Sequence, residues 1–449
     1  MRILTIIDKL SVGGRQRTAQ DYTLGYQRAG MDVAVLALQA AGPRLRTLQQ
    51  AGVPVFLGEA GSVGLGEAAS WRPDVVHLHS EGPVRPFEAR AVEALLAQSA
   101  RRPIVLETAA FGRVDYRQRY TATDVHLLVS PWVLWRWQQW TRPLVPRPVG
   151  AAVPNMVDAQ TFYPAPPEAV RAFRAQHGLP PHAVVFGSLA RPDPLKWPAF
   201  LFDAFEEVAQ RHPDAYFLVA GLSDSARGRI AALPEGVRRR IVELPFFHDD
   251  ALLRTCYSAM DVFLHGSPIG ESFGLVFVEA LLCGTPIVTH ATPAKHNSQV
   301  EVVGHERGGL VAAAPSHMAA AMERLLLDPA LRHRLAEQGA AHVRAHYTEE
   351  HIVPLLLRIV EHARRAPSRD ALARALGDDP RVTSDVDNAY IRSLLDHTLG
   401  RVPWRQKALM RLVHRPALFR AWWAVKGRLL RQPDADPADP APTRPPIHA

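Results

Sequence analysis

At 449 residues the chain exceeds what one hydrophobic core ordinarily serves, and its 47% hydrophobic content can build two or three. Its two cysteines, Cys256 and Cys283, fall in apolar helical patterns, which excludes a disulfide framework, and no Cys/His cluster has zinc spacing. The net charge of +8 is local: nine Lys or Arg and no acid lie between Arg401 and Arg431, so the rest of the chain is near neutral and a general nucleic-acid-binding surface is excluded.

The opening run Met1 to Asp8 is too short, and too soon charged, for a signal peptide. No apolar run of about 18 residues follows anywhere, so a cytoplasmic chain without a membrane span is expected. Buried strands are predicted at Ile3 to Ile7, Met31 to Leu38, Val53 to Leu57, Val75 to Leu78, Ile104 to Leu106 and Leu127 to Val129. Helices are predicted near 15–29, 43–51 and 86–100. The exposed, proline-rich stretch Pro164 to Glu168 then separates a second series. Its strands are Val184 to Gly187, Tyr216 to Ala220, Ile241 to Leu244, Val262 to Leu264, Ile287 to Thr289 and Leu310-Val311; its helices lie near 198–211, 248–259, 274–283, 316–327 and 329–345. This double alternation predicts two α/β, doubly wound domains, 1–165 and 166–365, with a ligand cleft between them.

Within the second series, Glu271 to Glu279 (ESFGLVFVE) places two carboxylates on either side of a glycine that opens a helix. The first N–H groups of a helix beginning near Gly274 lack internal partners and, with the helix dipole, favour a phosphate. The carboxylates of Glu271 and Glu279 suit the hydroxyls of a sugar or ribose. Taken alone, the two glutamates fit a cap and a solvated helix position at least as well. Upstream, Arg191 and Lys196 stand five residues apart in a loop after the first strand of the second domain, a bidentate fork and a point charge suited to a diphosphate. By itself that loop reads equally as a surface turn stiffened by Pro192 and Pro194.

Together these motifs resemble the retaining glycosyltransferases of family 4, the group 1 glycosyl transferases, over roughly residues 1–365. The E-x7-E pattern is matched by Glu271, Phe273, Gly274 and Glu279, followed by Ala280 and Gly284-Thr-Pro286. Arg191 and Lys196 match the family's "G-R-L-x-x-x-K". Val153 to Asp158 with Phe162 and Pro164 looks like its "V-P-N-G-V-D-x-x-x-F-x-P", Asp74 to His79 like its "D-V-V-H-x-H", and Glu301-Val-Val with Gly309-Leu-Val311 like its "E-x-V … G-x-L-V".

The resemblance implies a GT-B fold of two facing Rossmann-like domains, with the acceptor on the first and the donor on the second. It implies transfer of a hexose, with retention, from a nucleotide diphosphate sugar to a glycan or glycolipid acceptor in cell-surface polysaccharide synthesis. No cofactor or metal is implied. In such enzymes Glu271 would contact the donor hexose and Glu279 the ribose. The amides of Ser272, Phe273, Gly274 and Leu275 would face sugar and phosphates, Arg191 and Lys196 would stabilise the departing diphosphate, and Gly13-Gly14 would let the first domain approach. Arg191, Lys196 and Glu271 form the expected catalytic set. A GT-B epimerase or phosphorylase, or an inactive nucleotide-sugar-binding partner protein, are the other classes compatible with these motifs.

Several positions depart from the pattern. The family's "G-G-x-E" reads Gly13-Gly14-Arg15-Gln16, its Pro-Asn-Gly reads Pro154-Asn155-Met156, and Ala190 precedes Arg191 in place of glycine. Ala110 stands where a histidine usually lines the donor site, leaving Glu107 or His79 to serve instead. Beyond the resemblance, 366–400 reads as a linker, with exposed connections at Arg364 to Asp370 and Gly377 to Asp387. The stretch 401–431 reads as a basic, aromatic helical extension, and 432–449 as a disordered tail. In the extension, Leu418, Phe419, Trp422, Trp423, Val425, Leu429 and Leu430 share one face with Arg420, Arg428 and Arg431 opposite. That face suits either an anionic membrane surface, placing the enzyme at the inner membrane face, or packing onto the catalytic domains.

Overall fold

The two alternating series fold into two separate parallel sheets. The computed structural model describes residues 1–114, 122–400, 404–415, 417, 418 and 421. The first half forms β1 (Arg2–Lys9), α1 (Gly14–Arg28), β2 (Asp32–Ala40), α2 (Arg44–Gln50), β3 (Val55–Leu57), α3 (Val63–Ser70), β4 (Val75–Ser80), α4 (Pro86–Gln98), β5 (Ile104–Ala109), β6 (Val125–Leu128), α5 (Pro131–Thr141) and β7 (Gly150–Ala152). The second forms α6 (Pro167–Gln176), β8 (Val184–Leu189), α7 (Ala199–Arg211), β9 (Ala215–Ala220), α8 (Asp224–Ala231), α9 (Glu235–Arg238), β10 (Ile241–Leu244), α10 (Asp250–Ser258), β11 (Val262–Leu264), α11 (Leu275–Leu282), β12 (Ile287–His290), α12 (Gln299–Val302), β13 (Gly309–Ala312), α13 (Met318–Leu327) and α14 (Pro329–His346). Four helices follow: α15 (Glu349–Arg365), α16 (Arg369–Asp378), α17 (Asn388–Leu399) and α18 (Trp404–Val413).

The first sheet has the order β3-β2-β1-β4-β5-β6-β7 and the second β10-β9-β8-β11-β12-β13, all pairs parallel. Parallel strands need both faces covered, and the sequence supplies this: Ile3 and Ile7 of β1 join one core with Tyr22 and Tyr26 of α1, while Leu4 and Ile6 join another with Leu65, Ala91 and Leu95. In each sheet the order reverses beside its first strand, between β1 and β4 and between β8 and β11. Loops leaving those strands open the crevice where an α/β fold binds ligands. Gly13-Gly14 follows β1, Arg191 to Lys196 follows β8, and Glu271 follows β11.

Several elements escaped the sequence reading. The helix α5 carries Trp132, Trp135, Trp137 and Trp140 and is buried nearly all round, so it lacks the polar stripe that marks a surface helix. The three-residue β7 has only small residues, and α3 is a short, glycine-containing helix. The stretch 366–400, expected to be a linker, instead forms α16 and α17. Leu372 and Leu376 enter the first domain's core, and Ile391 and Leu395 pack against α5 and the second domain. Ahead of them, α15 returns to the first domain, where Ile352, Val353, Leu356, Ile359 and Val360 are buried with Tyr22 and Tyr26. Each such side chain contributes about 1.5–3 kcal/mol of burial, so the two domains are tied by this helix as well as by the connection at Pro164.

Of the basic extension, only α18 and a few residues after it are described. Met410 is buried, while Trp404, Leu409, Leu412 and Leu418 are exposed. The helix therefore packs through Met410 and leaves Trp404, Leu409 and Leu412 uncovered. The face built on Phe419, Trp422, Trp423, Val425, Leu429 and Leu430, its cations Arg420, Arg428 and Arg431, and the tail 432–449 lie outside the described residues. Among the described residues no helix is long and apolar enough to cross a membrane.

Candidate functional site

Gly274 is the N-cap of α11, with φ +89 and ψ 79, and no side chain caps the helix. A Cβ there would stand 2.4 Å from the Phe277 ring, so both backbone and packing require glycine. The uncapped first turn faces the other domain. Across the cleft, Gly13 begins α1, likewise without a side-chain cap, and a Cβ on Gly14 would lie 3.9 Å from Leu275 Cδ1. Two helix N-termini, neither with a side-chain cap, thus approach each other from the two domains, and their free N–H groups make the gap a place for a phosphate.

Beside that gap, Lys196 Nζ forms an ion pair with Glu271 Oε1. His265, the residue after β11, directs Nε2 at the same carboxylate oxygen at 3.0 Å and Nδ1 at Thr289 Oγ1 at 3.4 Å. A carboxylate can only accept, so Nε2 carries a proton towards it. Burial by itself would raise the Glu271 carboxyl, but Lys196 and His265 outweigh it and hold it at about 2. The Glu271 backbone N–H donates to Gln299 Oε1 at 3.2 Å, and Gln299 Nε2 in turn donates to the carbonyl of His290 and to Thr292 Oγ1. The loop that presents Glu271 is therefore anchored from the strand and helix beyond it.

Glu279, one turn into α11, is buried. Tyr257 donates its hydroxyl to Glu279 Oε2 at 2.9 Å, and burial raises the carboxyl against the opposing field of Arg17. Arg17 comes from α1 of the other domain. Its Nη1 meets Asp250 Oδ1 at 2.6 Å, its Nε lies 3.4 Å from Asp21, and its guanidinium covers the Phe162 ring. Arg191 stands apart: its backbone carbonyl accepts from Trp197 Nε1 at 3.1 Å, but its side chain is exposed and has no partner among the described residues. The structure thus brings Lys196, Glu271, Ser272 to Leu275, Glu279 and Gly13-Gly14 to one cleft and leaves the Arg191 side chain at its rim.

Both residues named in place of the missing histidine are held among other partners. Glu107 is buried among Ser80 Oγ at 2.6 Å, His126 Nδ1 at 2.9 Å and Thr123, and His79 is buried against His77 and Tyr22. A histidine reaches the neighbourhood of Ala110 from the opposite domain instead. His296 lies 5.4 Å from the Phe111 ring, its Nδ1 accepts from Arg136 at 3.1 Å, and its backbone N–H donates to Ile269 in the Glu271 loop. Burial and the Arg136 charge pull its pKa well below the usual value. Sequence spacing gave no sign of this, because Phe111 and His296 meet only across the domain interface.

Two other departures have local reasons. Gln16 is buried with Nε2 3.4 Å from Asp8 Oδ1, where a glutamate would face the Asp8 carboxylate. Met156 is buried in the first domain's core, and no left-handed backbone occurs there to require glycine. Asp8 itself sits with Arg15 at 2.7 Å and Arg85 at 3.1 Å, and Arg15 also approaches Glu81 and Glu88. Burial would raise the Asp8 carboxyl, but the two guanidinium groups hold it below its usual range. This polar cluster, at the exit of β1 and β4, was not singled out from sequence. Its partners are scattered over eighty residues of chain.

Comparison with known proteins agrees with this architecture. The family described as "Glycosyl transferases group 1" matches residues 170–342. A D-inositol 3-phosphate glycosyltransferase of Corynebacterium jeikeium is 33% identical over 199 residues, covering 42% of this chain and 46% of the relative. The putative glycosyltransferase YtcC of Bacillus subtilis is 30% identical over 193 residues, covering 40% and 46%. The matched stretch thus spans about half the length of these relatives. The structure of Anabaena HepE in complex with UDP and glucose aligns with a TM-score of 0.60 at 18% identity, over 80% of this chain and 99% of that one. The chain has the GT-B fold, and its second domain matches the glycosyl transferases group 1 family over residues 170–342.

Proposed function

We propose that the chain is a glycosyltransferase that moves a hexose, with retention, from a nucleotide diphosphate sugar to a glycan or glycolipid acceptor in cell-surface polysaccharide synthesis. One observation carries the reading: the uncapped starts of α1 and α11 face each other across the cleft with the Lys196–Glu271 pair beside them. The N–H groups of Ser272 to Leu275 receive the diphosphate, and Lys196, with Arg191 swinging in from the rim, neutralises it as it departs. Preorganised donors of this kind act where negative charge develops. Glu271, ionised at neutral pH, accepts hydrogen bonds from the hexose hydroxyls, and Glu279 accepts them from the ribose. The acceptor is taken by the first domain, where Asp8, Arg15 and Arg85 stand at the strand ends. No metal enters this scheme.

A thermal-shift screen against UDP-, GDP- and ADP-sugars tests the donor class, since a ligand at 100 times its dissociation constant stabilises the native state by about 2.7 kcal/mol. UDP-glucose comes first, given the UDP and glucose bound to HepE. Donor turnover without any acceptor would instead indicate an epimerase or phosphorylase. Donor binding without turnover under any acceptor would indicate an inactive binding protein.

We further propose that residues 401–431 attach the enzyme to anionic lipid at the inner membrane face, because the segment holds nine cations, no acid and three tryptophans. The exposed Trp404, Leu409 and Leu412 of α18 support this reading. Sedimentation with anionic liposomes tests it: the full chain should bind, and a chain ending at Gly400 should not.

A further inference from the structure

Between α5, α17 and α18 lies an open groove of about 460 Å³ that shares no residue with the donor cleft. Its walls include Trp135, Ile391, Leu395 and Met410, all buried. The indole of Trp135 is fixed by donation from Nε1 to Asn388 Oδ1 at 2.8 Å. Around the rim stand Arg142, Arg392, Lys407, Arg411 and Arg415, all exposed, against a single acid, Asp396. None of these five cations has an ion pair among the described residues. An apolar trough edged by unpaired positive charge is complementary to an amphiphilic anion.

A second observation comes from His414 at the groove. The residue is 5% exposed, its ring stands edge-on to Trp135 at a centroid distance of 4.7 Å, and neither ring nitrogen has a hydrogen-bond partner. Burial and the nearby Arg136 charge pull its pKa down to about 3, so the ring is neutral, with one N–H to give and one lone pair to fill. Buried polar groups in native proteins are nearly always paired. A ligand oxygen in the groove would pair this one.

We propose that the groove holds one anionic phospholipid, its phosphate ester among the rim cations and hydrogen-bonded by His414, its first acyl carbons along Trp135, Ile391, Leu395 and Met410. Trp404, Leu409 and Leu412 of α18, exposed at 73%, 46% and 52%, would enter the same bilayer. The inference deepens the membrane attachment proposed above and names the site that selects the lipid.

The test uses the full chain and dihexanoyl-phosphatidylglycerol below its micellar concentration, so that binding is read without a bilayer. Titration calorimetry should give one saturable site, at least tenfold tighter than for dihexanoyl-phosphatidylcholine and for inorganic phosphate. The double variant Arg392→Glu, Arg411→Glu should lose about tenfold or more in affinity. His414→Phe, which keeps a ring against Trp135, should also weaken binding about tenfold. Circular dichroism and the melting temperature check that both variants fold; the two arginines are exposed, so their variant keeps the test open if His414→Phe does not fold. Equal affinity for the zwitterionic lipid, or unchanged affinity in the variants, would overturn the proposal. So would binding that appears only after removal of residues 432–449, whose Asp434, Asp436 and Asp439 would then be the occupant. Monomeric lipid binding that persists while liposome sedimentation fails would remove the membrane attachment and leave the groove standing.

Discussion

Gly14, at the start of α1, and Leu275, at the start of α11, face each other from different domains so closely that a Cβ on Gly14 would lie 3.9 Å from Leu275 Cδ1. That distance is ordinary contact, and Gly14 has no left-handed backbone. Gly14→Ala should therefore fold with unchanged or slightly higher stability, as alanine is the better helix former, while narrowing the gap for a diphosphate and weakening donor binding about tenfold. Gly274→Ala should behave oppositely. Its backbone, at φ +89, and the ring 2.4 Å from the new Cβ should cost at least about 1–2 kcal/mol of stability. Urea unfolding and donor titration of the pair check this; equal loss of stability in both would refute the assignment of the gap.

Lys196→Met should lower turnover about 10- to 150-fold, the range for a charged hydrogen bond made at the transition state. It should also change the acid limb of stability. Glu271 is held at about 2 against an ordinary 4.5, so the pair stabilises the fold above pH ~4.5 and that contribution is lost as pH falls towards ~2. Removing the cation should cost up to about 3 kcal/mol at pH 7 and flatten the fall between those limits. Urea midpoints at pH 3, 5 and 7 measure it, and parallel curves for variant and parent would contradict the coupling.

Across the cleft, Asp250 is 37% exposed in its pair with Arg17, whereas Asp21 on the other side of the same guanidinium is buried and pushed up to about 7. Asp250→Asn should thus cost about 1 kcal/mol or less. Arg17→Met, which also strips Asp21 and Glu279 of their buried cation, should cost about 3 kcal/mol. If chemical denaturation gave the same loss for both, Arg17 would be acting only through Asp250.

Glu301 accepts from the Trp132 N–H and the Tyr390 hydroxyl, both at 3.1 Å, and burial pushes its carboxyl up to about 7. An acid raised in the fold gives up its proton first in the unfolded chain, so stability falls as pH rises from about 4.5 to about 7 and then levels. Glu301→Gln should reduce that slope, leaving the share of Asp21, which is also pushed up to about 7, and gain up to about 3 kcal/mol at pH 8 relative to the parent. Melting temperatures from pH 5 to 8 provide the check; an unchanged slope in the variant would assign it to another group.

The sequence alone determined the two parallel sheets and the loop from Glu271 into α11, because both are local in the chain. Strand period, helix stops and the Glu271 to Glu279 spacing each act within a dozen residues, and Gly274 declares its own backbone. It could not show that α15 to α17 tie the two domains together, since their apolar faces are read only against partners hundreds of residues away. It could not place His265 and Thr289 behind Glu271, Arg17 beside Glu279, or His296 against Phe111. Those contacts arise from strand order at the two switch points and from the approach of one domain to the other. The departures at Gln16 and Met156 were legible as letters in the sequence, but their reasons, the Asp8 carboxylate and the core beside α1, exist only once the chain is folded.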